Sequence, residues 1–296
     1  MMKMPTREQA RKIWGIIFVL PTFLFIFLFM VYPLIYSFYI SLSDYNFVYD
    51  VAPKFVGLKN YFKAFADPTF IVSMKNTFCF AGLFFVLVMV ISFLIALLLY
   101  YCNHFSWFFR TSIFIPIVIP ISLVCILFSW MFAENFGIVN YFLSDVLHLP
   151  QWAHAWLTDP KTAMDIVILV SLWCCIGFET ILFLAGLQGI SSDLFEAAAV
   201  DGATGWRKVF YIILPNLKET YVITGIWAIL QGLKVFVQPM VLTQGGPGNA
   251  TLVMYMHIYN NAFLHFDLGY AAALAFILSV IILFFSILNL KLSSSK

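Results

Sequence analysis

Gln231, Lys234 and Gln238 recur at helical spacing inside one apolar run, and Glu179 lies inside another, a helical turn beyond Cys175. Residues three or four apart share a helix face, so two amides and an ammonium form a polar stripe on an otherwise lipid-compatible rod. Ionisable groups at that depth are costly and must look into a helix bundle or a wet cavity. The chemistry on offer is hydrogen bonding: amides donate and accept, which suits a hydroxyl-rich solute moving along the stripe. Trp173 and Phe178 could add ring faces for stacking on sugars. The competing reading is structural, with the amides as interhelical glue, Lys234 and Glu179 as an internal ion pair, and the aromatics as packing. The residues alone leave both readings open.

No catalytic machinery accompanies them. The chain has no H-E-x-x-H, no G-x-S-x-G and no G-x-x-x-x-G-K-[ST], so no catalytic residue is expected and the chain is read as a non-enzyme. The five histidines are scattered, and the five cysteines lie in or beside apolar runs without zinc or disulfide spacing, so no metal site is expected.

Those residues sit on elements that composition identifies. Of the chain's 296 residues, 63% are hydrophobic and 10% charged, and the mean hydropathy is +0.96. That is more apolar surface than one water-facing core of this length buries, so the class is an all-α polytopic membrane protein. A net charge of +2 without a basic run excludes nucleic acid as a partner. After a basic N-terminus at residues 1–12, apolar runs at roughly 13–43, 72–101, 111–132, 163–189, 217–242 and 266–290 predict six spans in one polytopic transmembrane domain over 13–296. Pro21, Pro33, Pro116 and Pro120 predict kinks or breaks. Trp152 and Trp156 are expected at headgroup level in an outer loop.

Basic residues orient the bundle. Lys3, Arg7, Arg11, Lys12, Arg110, Arg207, Lys208, Lys218, Lys291 and Lys296 fall on one side, and Lys54, Lys59, Lys63, Lys75 and Lys161 on the other. The ratio, about two to one, places both termini in the cytoplasm.

The long polar interruption at 192–215, SDLFEAAAVDGATGWRKVFYIILP, has its own grammar. Asp193 is positioned to cap a short helix through the alanines, Asp201-Gly202 reads as a turn, and a second short helix is expected over about 204–211. Pro215 suits the start of the following helix. Glu196-Ala197-Ala198, Asp201-Gly202-Ala203 and Ile213-x-Pro215 resemble the EAA signature of membrane permease subunits of bacterial ATP-binding cassette (ABC) importers. Tyr32-Pro33, Val56-Gly57-Leu58-Lys59-Asn60-Tyr61, Phe109-Arg110-Thr111, Ala185-Gly186-Leu187-Gln188 and Leu242-Thr243-Gln244-Gly245-Gly246-Pro247 extend the resemblance to carbohydrate uptake, of the maltose, multiple-sugar and glycerol-phosphate permease type. A departure is Asn216-Leu217-Lys218-Glu219, where relatives often carry a second proline.

The resemblance implies a type I importer permease of the bacterial inner membrane, with six transmembrane helices and an EAA coupling loop between the fourth and fifth. Its implied partners are a second homologous permease, two ATPase subunits that bind ATP and magnesium, and an extracellular or periplasmic solute-binding protein that delivers a sugar, oligosaccharide or polyol. Carried over residue by residue, Glu196 is the ionic anchor to the ATPase, Ala197 and Ala198 permit close packing, and Gly202 makes the turn. The flanking spans, with Trp173, Phe178, Gln231 and Lys234, become the substrate path. A rival reading is a stand-alone transporter driven by an ion gradient, for which Glu179 is the one embedded acid.

Overall fold

A computed structural model describes residues 7–102 and 106–294. Lys3, Asn103, His104 and Lys296 lie outside the described residues, as does the side chain of Lys12. The chain divides into two units: the part up to Ala66 with Ile258–Phe276, and Asp67–His257 with the part from Ile277 onward.

In the first unit, α1 (Arg7–Ile26) passes through a π-helical turn (Phe27–Val31) into α2 (Tyr32–Ser41). The proline ring of Pro33 would press on the carbonyl of Phe29 in a regular α-helix, and the wider turn before it relieves that clash. Strands β1 (Ser43–Asp44) and β2 (Lys54–Phe55) pair antiparallel ahead of α3 (Lys59–Ala66). Buried Asn60 ties this connection together, its amide donating to the carbonyls of Ser41 at 3.0 Å and Ser43 at 2.8 Å. Lys63 completes the knot, 3.0 Å from the Asp267 carboxylate and 4.2 Å above the Tyr270 ring.

The second unit opens with α4 (Pro68–Tyr101), capped by the Asp67 carboxylate accepting from the Thr69 N–H at 2.8 Å. Helices α5 (Ser106–Val118) and α6 (Ile121–Met131) follow, bent by 99° from each other. Pro120 explains the break: it has no N–H for the carbonyl of Pro116, and its ring disfavours helical geometry at Ile119. A loop containing α7 (Ile138–Tyr141) leads to α8 (Ala163–Gln188). Then come α9 (Ser192–Val200), α10 (Trp206–Lys208), a π-helical turn (Val209–Ile213), α11 (Leu214–Asn216), α12 (Lys218–Leu233), α13 (Val237–Leu242) and α14 (Met254–Tyr259). The last helix, α15 (Leu268–Ser294), contributes to both units. Among the described residues five helical segments are long and apolar enough to cross a bilayer, and six if α5 with α6 makes one broken span.

Lipid tails are as apolar as leucine, so helices of a membrane bundle associate through close packing rather than escape from water. The centre of the second unit is built that way. Phe93 of α4 meets Phe183 of α8 edge-on at 5.8 Å, and both rings meet Tyr221 of α12, at 6.1 and 5.2 Å. Small residues bring the backbones together. A Cβ on Gly177 of α8 would overlap the carbonyl oxygen of Ile113 on α5, and one on Gly186 would overlap the Thr220 hydroxyl of α12. Ser92 adds a hydroxyl bond to the Ile176 carbonyl at 3.2 Å. The loop between α6 and α8 is pinned by Asn140, which donates to the carbonyls of Glu134 and His154 and accepts from the His154 N–H and the Trp156 indole.

Substituting Gly177 by Val therefore forces α5 away from α8 and should cost about 1–3 kcal/mol. In detergent it is expected to melt several degrees below Gly82→Val, because a Cβ at Gly82 meets nothing within 4 Å. Equal melting temperatures for the two variants would contradict this packing.

Candidate functional sites: an exposed loop helix and a broken span

The segment between α8 and α12 begins at Ser191, whose hydroxyl accepts from the Asp193 N–H at 3.3 Å. Ser191 is thus the cap in place of Asp193, which lies one residue inside α9, where its carboxylate favours the helix N-terminus. Helix α9 turns Phe195 and Ala198 inward and presents Glu196, Ala197 and Val200 outward, Val200 being 89% exposed. It ends in overlapping turns: Asp201 donates to Ala197, Gly202 to Ala199 and Ala203 to Ala198, at 3.0, 3.2 and 2.8 Å. Gly202 has φ +75°, a left-handed conformation that costs a residue with a Cβ roughly 1–2 kcal/mol. The second short helix begins at Trp206 and continues through the π-helical turn to Asn216, longer than the residues 204–211 expected. No salt bridge engages Glu196 among the described residues, so its carboxylate is free at the surface of the chain.

The polar stripe is different from its expectation. Helix α12 stops at Leu233, Lys234 caps it, and α13 starts only at Val237. Pro239 is the cause: in a continuous helix its ring would strike the carbonyl of Val235. Gln231 and Lys234 are exposed on the first segment, whereas Gln238 is 8% exposed on the second. The three therefore do not share one helix face. Phe178 of α8 packs on Trp227 of α12 with ring centres 4.9 Å apart, and Trp173, five residues earlier, is 40% exposed and 5.4 Å from Phe128 of α6. With α8 and α12 antiparallel, this register carries Trp173 to the level of Gln231 and Lys234.

Glu179 is fully buried, and neither of its oxygens has a hydrogen-bond partner. With Lys234 exposed and no salt bridge joining them, the internal Lys234–Glu179 pair does not form. The seven-residue separation along α12 between the level of Glu179, near Trp227, and Lys234 is about 10 Å of helix rise, too far for an ion pair. Among the described residues no three His, Cys, Asp or Glu side chains gather as metal ligands would.

Sequence reasoning missed two residues. Asn140 carries nothing in its neighbourhood to mark it, because its four bonds come from residues up to sixteen positions away. It also holds Trp156, whose indole donates to the Asn140 side chain, while Trp152 is 63% exposed. Lys208 is the other, and only the fold brings aromatic rings to it.

With this architecture in view, the comparisons with known proteins place the chain. Residues 88–295 match the family described as binding-protein-dependent transport system inner membrane component. The probable ABC transporter permease protein YurN of Bacillus subtilis is 33% identical over 285 residues, covering 96% of this chain and 97% of that one. The lactose transport system permease protein LacF of Rhizobium radiobacter is 32% identical, covering 93% of this chain and 92% of LacF. In fold, the chain is similar to a subunit in the crystal structure of a bacterial alginate ABC transporter in complex with alginate pentasaccharide-bound periplasmic protein. There the TM-score is 0.83 at 24% identity, over 96% of this chain and 94% of that one.

The chain belongs to the binding-protein-dependent transport system inner membrane component family. It is a multi-pass permease of the ABC importer class, a transport family rather than an enzyme family.

The loop between α6 and α8 holds a titratable contact whose sign is fixed. Asp159 is held below its ordinary pKa, first by the Lys161 N–H and then by His154, whose Nε2 lies 2.6 Å from the carboxylate. A depressed carboxylate stabilises the fold at pH above its unfolded value and loses that contribution as pH falls through the folded one. Protease resistance of the loop should hold at neutral pH and fall only in acid, below the ordinary carboxylate range. Asn140→Leu should lose resistance at every pH, by about 1–3 kcal/mol for each group left unpaired; an unaltered digestion pattern would contradict the assigned network.

Proposed function

We propose that this chain pairs with a second, related permease to form the translocation path for a sugar, oligosaccharide or polyol, and that α9 is its coupling helix. Partner ATPase subunits, which would bind ATP and magnesium and carry out hydrolysis, dock on the outward face of α9, and an external binding protein delivers the solute. Both termini and the α9 loop lie in the cytoplasm in this reading. The single observation that carries it is α9 itself: a short helix between two spans that exposes a free carboxylate at Glu196 beside uncovered Ala197 and Val200. A charged anchor ringed by small and apolar surface is what a protein docking site requires, since truncating apolar contacts and reversing the anchor both weaken it. Ala198 faces inward beneath it, and Asp201, Gly202 and Ala203 form the turn that fixes where Glu196 points.

Sugar as the solute class is supported by the relatives, whose names include lactose and starch degradation products, and by the exposed amide of Gln231 beside Trp173 and Lys234 near the break of the fifth span. Phe178, packed on Trp227, backs this surface, and Gln238 lies buried on α13 beyond the break. The ion-driven alternative rests on one embedded acid, Glu179, whose buried oxygens have no hydrogen-bond partner, and it gives the exposed α9 loop no task.

Two outcomes follow. Glu196→Lys, or Gly202 replaced by a bulky residue such as Trp, should reduce uptake by more than about tenfold, because like-charge contact at an interface costs several kcal/mol. Membrane insertion, read by fractionation, should be unchanged, while ATPase co-isolation falls for Glu196→Lys; undiminished uptake in both variants removes the coupling assignment. Gln231→Leu and Lys234→Met should raise the external concentration needed for half-maximal uptake by up to about tenfold per lost hydrogen bond, with ATPase co-isolation intact.

A further inference from the structure

Lys208 ends α10 and makes no salt bridge among the described residues. Its ammonium instead lies 4.2 Å from the centre of the Phe195 ring and 5.7 Å from that of Tyr101. Tyr100 closes the group, 6.1 Å from Phe195 and 5.2 Å from Tyr101. A cation within about 6 Å of a ring face is held by the ring's quadrupole. The three contributors come from three elements: Phe195 from α9, one residue before Glu196; Lys208 from α10; and the tyrosines from the end of α4.

The chain connects α9 to α8 through residues 189–191, and to α12 through α10 and α11. It gives α9 no covalent route to α4. A cavity of 490 Å³ also opens between Leu97 of α4 and Ala199 of α9, so the two helices are not joined there by close backbone packing. Around this opening Phe195 meets the Tyr100 ring, Ala96 and Leu99 share a buried cluster with Val209 and Ile213, and the Lys208 ammonium bridges Phe195 to Tyr101.

We propose that Lys208 is a positioning residue: it clamps the end of α4 to the coupling helix, so that a displacement of α9 moves α4 together with α8 and α12. This rests on the coupling reading of α9. The Phe93, Phe183 and Tyr221 rings already carry the middle of α4 with α8 and α12; the Lys208 contact adds a tie at the end of α4 beside α9, so that this end follows α9 instead of flexing away from it.

The test uses the whole transporter, assembled with its ATPases in lipid nanodiscs. Spin labels replace Leu98 on α4 and Leu194 on α9, which are 72% and 42% exposed, after the native cysteines are removed. The 98–194 separation is measured by electron paramagnetic resonance without nucleotide and after trapping with Mg-ATP and vanadate. In the parent chain and in Lys208→Arg, which keeps the cation, the separation should stay the same on trapping. In Lys208→Met, which keeps the length and loses the charge, it should shift or broaden on trapping, with ATPase co-isolation and melting temperature unchanged. A separation that changes in the parent chain, or that Lys208→Met leaves unchanged, overturns the clamp. Loss of co-isolation in Lys208→Met also overturns it, because the lysine would then serve docking itself. The coupling reading stands or falls separately, on ATPase co-isolation with Glu196→Lys.

Discussion

The close approach of α8 to its neighbours is the constraint on which the second unit depends. Helices surrounded by lipid gain little from hiding apolar side chains, so their association relies on van der Waals contact at short range and on the few polar bonds that can form. Gly177 against the Ile113 carbonyl and Gly186 against Thr220 set that range for α5 and α12. The Phe93, Phe183 and Tyr221 rings then fill the space that the backbones leave. Because these contacts lie along α8, the helix that leads directly into α9, whatever moves α9 acts on the best-packed rod of the unit.

Prolines decide where that rigidity ends. Pro120 separates α5 from α6 by a 99° bend, and Pro239 separates α12 from α13. Each interruption frees carbonyls that a continuous helix would satisfy, a cost tolerated at membrane depth only where protein or a wet cavity receives them. The second break lies beside Lys234, whose cation at the C-terminal end of α12 is favoured by the helix dipole. One substitution pattern thus serves both ends: an ordered helix delivers Trp227 to Phe178, and its abrupt stop exposes Gln231 and Lys234.

Membership of the importer permease family gives these features a common purpose without dictating their details. The outward face of α9 and the polar surface near the fifth-span break are separated by most of the length of α12, sixteen residues or about 24 Å of helix rise. In the proposed reading, binding at one and driving at the other are linked by whole-helix movement, which a tightly packed α4–α8–α12 core can transmit and a loosely packed one would absorb.

The sequence by itself determined the class and the parts list. Six apolar runs, the prolines within them, and the Glu196–Gly202 segment were all legible, because hydrophobic length, missing N–H groups and turn-forming glycine are local properties. It could mark Gln231, Lys234 and Gln238 as polar inside a span, but it assumed one continuous helix, and only the tertiary structure put Gln238 out of line with the other two. Pro239 was the available signal, one residue past Gln238. The pairing of Lys234 with Glu179 failed for a related reason: chemical complementarity in a sequence says nothing of the depth or direction at which two side chains lie. The tertiary structure alone decided that Lys208 meets Phe195 and Tyr101, and that Asn140 gathers a loop around itself. Contacts of that kind join residues distant in the chain, and their energy exists only once packing has brought the elements together.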